Sequence, residues 1–262
     1  MRLATTTSTR DSGLLDVVLP VFERETGIRC DVIAVGTGKA LELGRRGDVD
    51  VVLVHARKAE ERFMQEGHGV RREDVMWNRF VVVGPADDPA TIRGLGVLAA
   101  LQRIAEKRAA FVSRGDDSGT HKRERALWAE LGIEPDWADY VETGLGQGRT
   151  LMVADQLRAY CLTDEATFLN MRNKLQLVPL VTDDPRLRNE YGVIVVSPGK
   201  HPGVRAELAA RFVDFLISPA GQALIAGFRI EGRQVFRPAH GFEQPRAGSG
   251  ASLATPADRG RD

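Results

Sequence analysis

The chain has 262 residues, enough for one large hydrophobic core or two moderate ones. Its 36 Lys and Arg cancel its 36 Asp and Glu, so no overall field draws it to nucleic acid or to an anionic membrane surface. Its two cysteines, Cys30 and Cys161, have no CxxC or Cys/His spacing that would suggest a metal, and whether they pair is left open.

Short β-branched runs alternate with helical periodicity, an α/β pattern expected to build mainly parallel sheets. The first strand, Arg2–Thr6, runs into Thr5-Thr6-Thr7-Ser8-Thr9, five consecutive hydroxyl residues. A helix is predicted over Ser12–Thr26, with Leu14, Leu15, Val18, Leu19 and Phe22 at helical spacing and Gly27 as its stop. Ser8 with Asp11 fits a capping box, but a cap needs only one hydroxyl. Neutral hydroxyl donors suit the surround of an oxyanion, because they bind oxygen without adding charge.

Strands are predicted over Arg29–Ala34 and Val49–Val54, and helices over Gly38–Arg45 and Lys58–Glu66. Between them, Gly36-Thr37-Gly38-Lys39-Ala40 looks like a P-loop but fails twice. Ile33 stands in place of its first glycine, and Ala40 in place of its Ser/Thr. Nucleotide binding is therefore not expected, and Thr37 is read as an anion contact on a strand–helix turn. The apolar run Phe80–Gly84 ends at Pro85, and a helix follows over Gly94–Lys107.

The most informative segment is Ser113-Arg114-Gly115-Asp116-Asp117-Ser118-Gly119-Thr120-His121. It lies between a strand, Ala109–Val112, and a helix, Thr120–Leu131, that closes on Gly132. A helix start carries unpaired N–H groups and the positive end of the dipole, which makes it an anion site. Arg114 adds a planar fork that can grip two oxygens. An ordinary cap at Asp117, Ser118 or Thr120 accounts for the hydroxyls but not for the arginine.

Gly144-Leu145-Gly146-Gln147-Gly148-Arg149-Thr150 misses the dinucleotide fingerprint, since its glycines fall at 144, 146 and 148. Its backbone amides are a further candidate anion contact. Strands are predicted at Ala159–Leu162, Leu175–Leu180 and Val193–Val196, and helices at Thr150–Gln156, Thr163–Asn170 and Arg205–Leu216. Gly241–Asp262 reads as a disordered tail by composition. The runs ending at Pro85 and Pro198 match, which suggests paired crossings between two lobes. The expected division is 1–84 plus 190–240 as lobe 1, and 85–189 as lobe 2. Ligands favour the crevice at the carboxyl ends of such strands.

No H-x-x-x-H, no G-x-S-x-G and no nucleophilic cysteine context occurs, so neither catalysis nor a metal is expected. No apolar stretch reaches the roughly 18 residues of a bilayer span. Met1-Arg2-Leu3 runs directly into the first motif, so no signal peptide is read at the start of this sequence.

With these motifs in view, the chain resembles the tungstate-binding proteins of ABC importers, in the type II periplasmic binding-protein superfamily. The matching stretches are Thr5–Thr9, Ser12–Asp16, Ala34–Leu41, Asp50–Ala56, Asp74–Met76, Ser113–His121, Leu162–Asp164 and Tyr191–Ile194. The resemblance covers about residues 2–235. It implies two α/β lobes closing on a tetrahedral oxyanion, with a ligand cleft between them, and delivery to a membrane permease. Its ligand is tungstate or molybdate, with no cofactor. It implies contacts from Thr7, Ser8 and Thr9, and from Arg114, Ser118 and Thr120 across the cleft. Weaker contacts are Thr37, the turn at His55, and the loop at Gly148. Arg149 departs from the small residue expected there. The resemblance also implies a periplasmic protein or a cell-surface lipoprotein.

A fully deprotonated dianion needs donors and no acceptor, and one arginine with many neutral donors meets that need. Phosphate is the alternative, because Arg114 to Thr120 is also similar to the loop of phosphate-binding proteins. On that reading Asp116 accepts the proton phosphate retains. A cytoplasmic oxyanion-sensing domain of a regulator is a second alternative, although no helix-turn-helix is present at either end.

Overall fold

A computed structural model describes residues 1–241 of the chain. The hydroxyl-rich start is a strand that turns without a gap into helix: β1 (Arg2–Thr6) is followed by α1 (Thr7–Asp11) and α2 (Leu14–Thr26). Gly13, with φ of 82°, supplies the left-handed residue that separates the two helices. Next come β2 (Asp31–Val35), α3 (Thr37–Arg45), β3 (Val51–Val54) and α4 (Arg57–Gln65). A long strand, β4 (Gly69–Gly84), leads to α5 (Val97–Glu106), β5 (Phe111–Ser113) and α6 (Gly119–Glu130). The middle segment continues with β6 (Tyr140–Glu142), α7 (Gln147–Gln156), β7 (Cys161–Asp164), α8 (Glu165–Met171) and β8 (Val178–Val181). The chain returns through β9 (Arg188–Val196), α9 (Ala206–Ile217) and α10 (Pro219–Gly227), then the short strands β10 (Arg229–Ile230), β11 (Arg233–Gln234) and β12 (Arg237–Pro238). Of the tail expected at Gly241–Asp262, all but Gly241 lies outside the described residues.

The main sheet runs β12-β4-β9-β3-β1-β2, and β7 and β8 pair with the far end of β4. The expectation of mainly parallel sheets is corrected here. β1 is parallel to β2 and β3, and β5 to β6, but β9 is antiparallel to β3 and β4. β4 is also antiparallel to β7, β8 and β12. No helical crossover connects β4 to its partners in the parallel sense, so the returning chain runs against it. The strands that carry the runs at 80–83 and 193–196 are antiparallel neighbours, but the runs lie at different places along them: the first pairs with β7 and β8, the second with β3 and with the 69–73 end of β4.

The first half of β4 escaped the sequence reading because Arg71, Arg72, Glu73 and Asp74 interrupt any apolar alternation. Ion pairs compensate these charges in place, with Arg72 2.7 Å from buried Glu60 and Arg71 2.7 Å from Asp214.

Adjacent residues of the inner strands enter different cores. Leu3, Val51 and Val193 pack with Phe22 and Phe212, whereas Ala4, Val52 and Ile194 pack with Leu41 and Phe63. Burial on both faces explains their continuous β-branched sequences. A third core joins Phe80 and Val82 to Leu101, Phe111, Trp128 and Trp137. Cys161 is buried, Cys30 is partly exposed, and both are free thiols. Among the described residues, no single helix is long and apolar enough to cross a membrane.

Candidate functional site

The carboxyl ends of β1, β2 and β3 meet the loop between β5 and α6 around a small, partly enclosed cavity. Thr6, Thr7 and Ser8 come from the β1–α1 corner, and Val35, Gly36 and Thr37 from the β2–α3 turn. His55 follows β3, and Arg114, Ser118 and Gly119 come from the opposite side. Two helix starts, those of α3 and α6, therefore open on one small space, and both favour negative charge there.

Local sequence explains how each wall is held. Thr6 is the cap of α1: its Oγ1 accepts from the Thr9 amide at 3.2 Å and lies 2.6 Å from Thr9 Oγ1 and 3.1 Å from Ser8 Oγ. Ser118 caps α6 by accepting from the His121 amide at 3.3 Å. The α6 loop is bent by Gly115 and Asp117, whose φ angles are 60° and 57°. Asp117 is one of the residue types that tolerate this region. Asp116 Oδ1 accepts from the Ser118 amide at 3.2 Å, and its Oδ2 accepts from Arg114 Nη2.

Gly119 is needed for close approach. A Cβ at that position would stand 2.8 Å from His55 Cε1 and 3.0 Å from its Nδ1. The glycine thus lets the α6 start reach the imidazole from the opposite wall.

Two donors are conspicuously unused. Thr37 Oγ1 and Arg114 Nε are buried without a hydrogen-bond partner among the described residues. Such groups are costly unless something completes them. Arg114 is 6% exposed and His55 8%. Burial holds the His55 imidazole below the usual histidine range, with Arg114 adding to that effect and Asp164 and Asn189 opposing it. The cavity therefore offers hydroxyls, amides and one guanidinium, and no carboxylate lines it.

Of the residues expected from sequence, Thr7, Ser8, Thr37, His55, Arg114 and Ser118 line the cavity. Thr9, Thr120, Asp116, Gly148 and Arg149 do not. Thr9 is fully buried behind Thr6, and Thr120 is 2% exposed within the first turn of α6. Gly148 lies in α7, where an added Cβ would stand 2.9 Å from Met171 Sδ, and Arg149 is exposed to solvent. Thr6, Val35, Gly36 and Gly119 also line the cavity and were not singled out by sequence. Thr6 stood inside the hydroxyl run, so its signal was present. Gly119 stood inside the Ser-Gly-Thr helix start, but its need to be glycine comes from His55, which is remote in the chain. Among the described residues, no group of His, Cys, Asp and Glu is arranged to hold a metal ion.

Two layered α/β units around a small donor-lined cavity define a two-lobe ligand-binding protein. The chain belongs to the PBP superfamily, whose domain model matches residues 2–220. It is 47% identical over 241 residues to the tungstate-binding protein TupA of Peptoclostridium acidaminophilum, covering 90% of this chain and 84% of that one. Among solved structures it resembles the tungstate-binding protein TupA of Desulfovibrio alaskensis G20, with a TM-score of 0.83 and 44% identity over 92% of this chain and 99% of that one. A tungstate ABC transporter structure from Geobacter sulfurreducens gives a TM-score of 0.81 and 47% identity, covering 87% of this chain and 98% of that one.

Proposed function

We propose that this protein binds a tetrahedral oxyanion, tungstate or molybdate, and delivers it to an ABC-transporter permease outside the cytoplasmic membrane. Its role is binding rather than catalysis, as a periplasmic protein or a cell-surface lipoprotein. The observation that carries this reading is the pair of unused buried donors, Thr37 Oγ1 and Arg114 Nε, in a cavity without a carboxylate. A buried dianion requires every oxygen to be paired, and these donors with Thr7, Ser8 and Ser118 meet that requirement. The names of its relatives support the same ligand. The lobes are taken as 1–84 with 190–240, and 85–189, closing by bringing Arg114 and Ser118 toward Thr7 and Thr37. The permease would read the closed form.

Phosphate is less well served. It keeps a proton near neutral pH, and Asp116, the carboxylate expected to accept that proton, does not line the cavity. The test is a thermal-shift titration at neutral pH with tungstate, molybdate, phosphate and sulfate. A ligand at 1,000 times its dissociation constant stabilises by about 4 kcal/mol, or roughly 8–16 °C for a chain of this size. A large shift with tungstate or molybdate that disappears in Arg114→Ala is the expected result. A shift with phosphate alone, or with none of the four, refutes the proposal.

A further inference from the structure

The charge count of the cavity is incomplete for a dianion. Arg114 and His55 are the two lining side chains able to carry positive charge. The Arg114 charge is already opposed by Asp116, which accepts from its Nη2. A dianion placed there would meet a locally neutral ion pair and neutral hydroxyls.

The hydrogen bonds of His55 show what the ring can do about this. Asn189 Nδ2 donates to Asn78 Oδ1 at 2.7 Å and to Tyr191 Oη at 3.3 Å, which leaves Asn189 Oδ1 as the acceptor facing His55 Nδ1 at 3.0 Å. Nδ1 therefore carries the hydrogen, and in the neutral ring Nε2 holds a lone pair. That lone pair lies 3.3 Å from Thr6 Oγ1, at the cavity wall. A bare lone pair is the wrong group to set against an oxyanion. Its protonated form is the right one.

We infer that His55 takes up a proton as the oxyanion dianion enters, and that its imidazolium supplies the second positive charge of the site. The inference rests on the function proposed above. The proton goes onto Nε2, which then donates toward the anion and releases the Thr6 hydroxyl to do the same. The surroundings fit this exchange. Asp164, at the β7–α8 junction, favours the charged ring, and the Asn189 bond favours it too; burial and Arg114 oppose it. Tyr191 lies against the ring at 4.8 Å between centroids, and Gly119 is so close that a Cβ there would stand 2.8 Å from the ring's Cε1. Asn78 on β4 and Thr6 on β1 complete the shell without adding charge. An entering dianion tips that balance toward the imidazolium.

The experiment is isothermal titration of the full chain with sodium tungstate from pH 6.5 to 8.5, in buffers of differing ionisation heat, which counts protons taken up per ion bound. Uptake should approach one proton, and affinity should fall by up to about tenfold per pH unit as pH rises, by linkage. His55→Gln should bind with no uptake and with an affinity that is flat in pH. His121→Gln, whose ring takes the Asp117 amide at 3.0 Å outside the cavity, should keep the uptake. Tungstate binding by the parent without proton uptake overturns the inference and leaves the proposed function standing. Uptake retained in His55→Gln, or lost in His121→Gln instead, also overturns it. An absence of tungstate binding by the parent overturns both.

Discussion

Replacing Thr37 by Val should move fold stability and ligand affinity in opposite directions. The Thr37 hydroxyl is buried, at 1% exposure, with no hydrogen-bond partner among the described residues. An unpaired buried hydroxyl costs about 1–3 kcal/mol. Valine has the same shape and the same χ1 restriction, so the first turn of α3 is undisturbed. Taking the lower figure, the ligand-free variant gains about 1 kcal/mol and melts about 2–4 °C higher. With Thr37 as a ligand contact, as proposed, the same change deletes a hydrogen bond from a neutral donor to charged tungstate, worth about 1.5–3 kcal/mol. Affinity should then fall about 10- to 150-fold. The assay pairs a melt of the ligand-free protein with a calorimetric titration. A variant that melts lower than the parent and binds tungstate as tightly would refute the reasoning on both counts.

Gly119→Ala places a Cβ against His55 and should weaken tungstate binding by at least about fivefold, the lower end of an overpacking cost. Unchanged affinity in a titration would show that the close approach of Gly119 to His55 is not needed for binding. Asp116→Asn removes the charge opposing Arg114 and should leave tungstate binding at least as tight. A loss beyond about tenfold would instead make Asp116 the residue that positions the guanidinium. Burial pushes the Glu124 carboxyl up to about 7, although Tyr140 Oη and Trp128 Nε1 donate to it. The folded chain therefore holds a proton there that the unfolded chain releases near pH 4.3, and stability falls as pH rises through that interval. Glu124→Gln keeps the acceptor and should retain about 2–3 kcal/mol between pH 5 and pH 8 that the parent loses. Urea unfolding at both pH values checks this, and an identical fall in both proteins would refute it.

The parts of this molecule legible in the sequence are those whose cause is local. A strand that runs into five hydroxyls, or a guanidinium ahead of Ser-Gly-Thr at a helix start, declares its chemistry within a dozen residues. What such a run does not declare is helical phase. Consecutive residues in α1 diverge by about 100°, so Thr7 and Ser8 reach the cavity while Thr9 turns back to Thr6. The antiparallel half of the sheet was hidden for another reason. Arg71 to Asp74 look like a loop until Glu60 on α4 and Asp214 on α9 are placed beside them. Gly119 was hidden most completely, because its requirement comes from His55, a residue on the other side of the cleft.

The strand β4 has a further consequence. Val81 and Val83 belong to the core of Phe22 and Phe212, while Phe80 and Val82 belong to the core of Trp128. Neither core can come apart without stripping backbone bonds from the same few residues, so the two halves of the molecule share one unfolding transition. The amides of Val81 to Val83 should therefore exchange with solvent only through global opening, and their rate reads the stability of the whole chain. The lobe closure proposed above would accordingly be a flexing inside a single cooperative unit, one that needs no part of the molecule to melt.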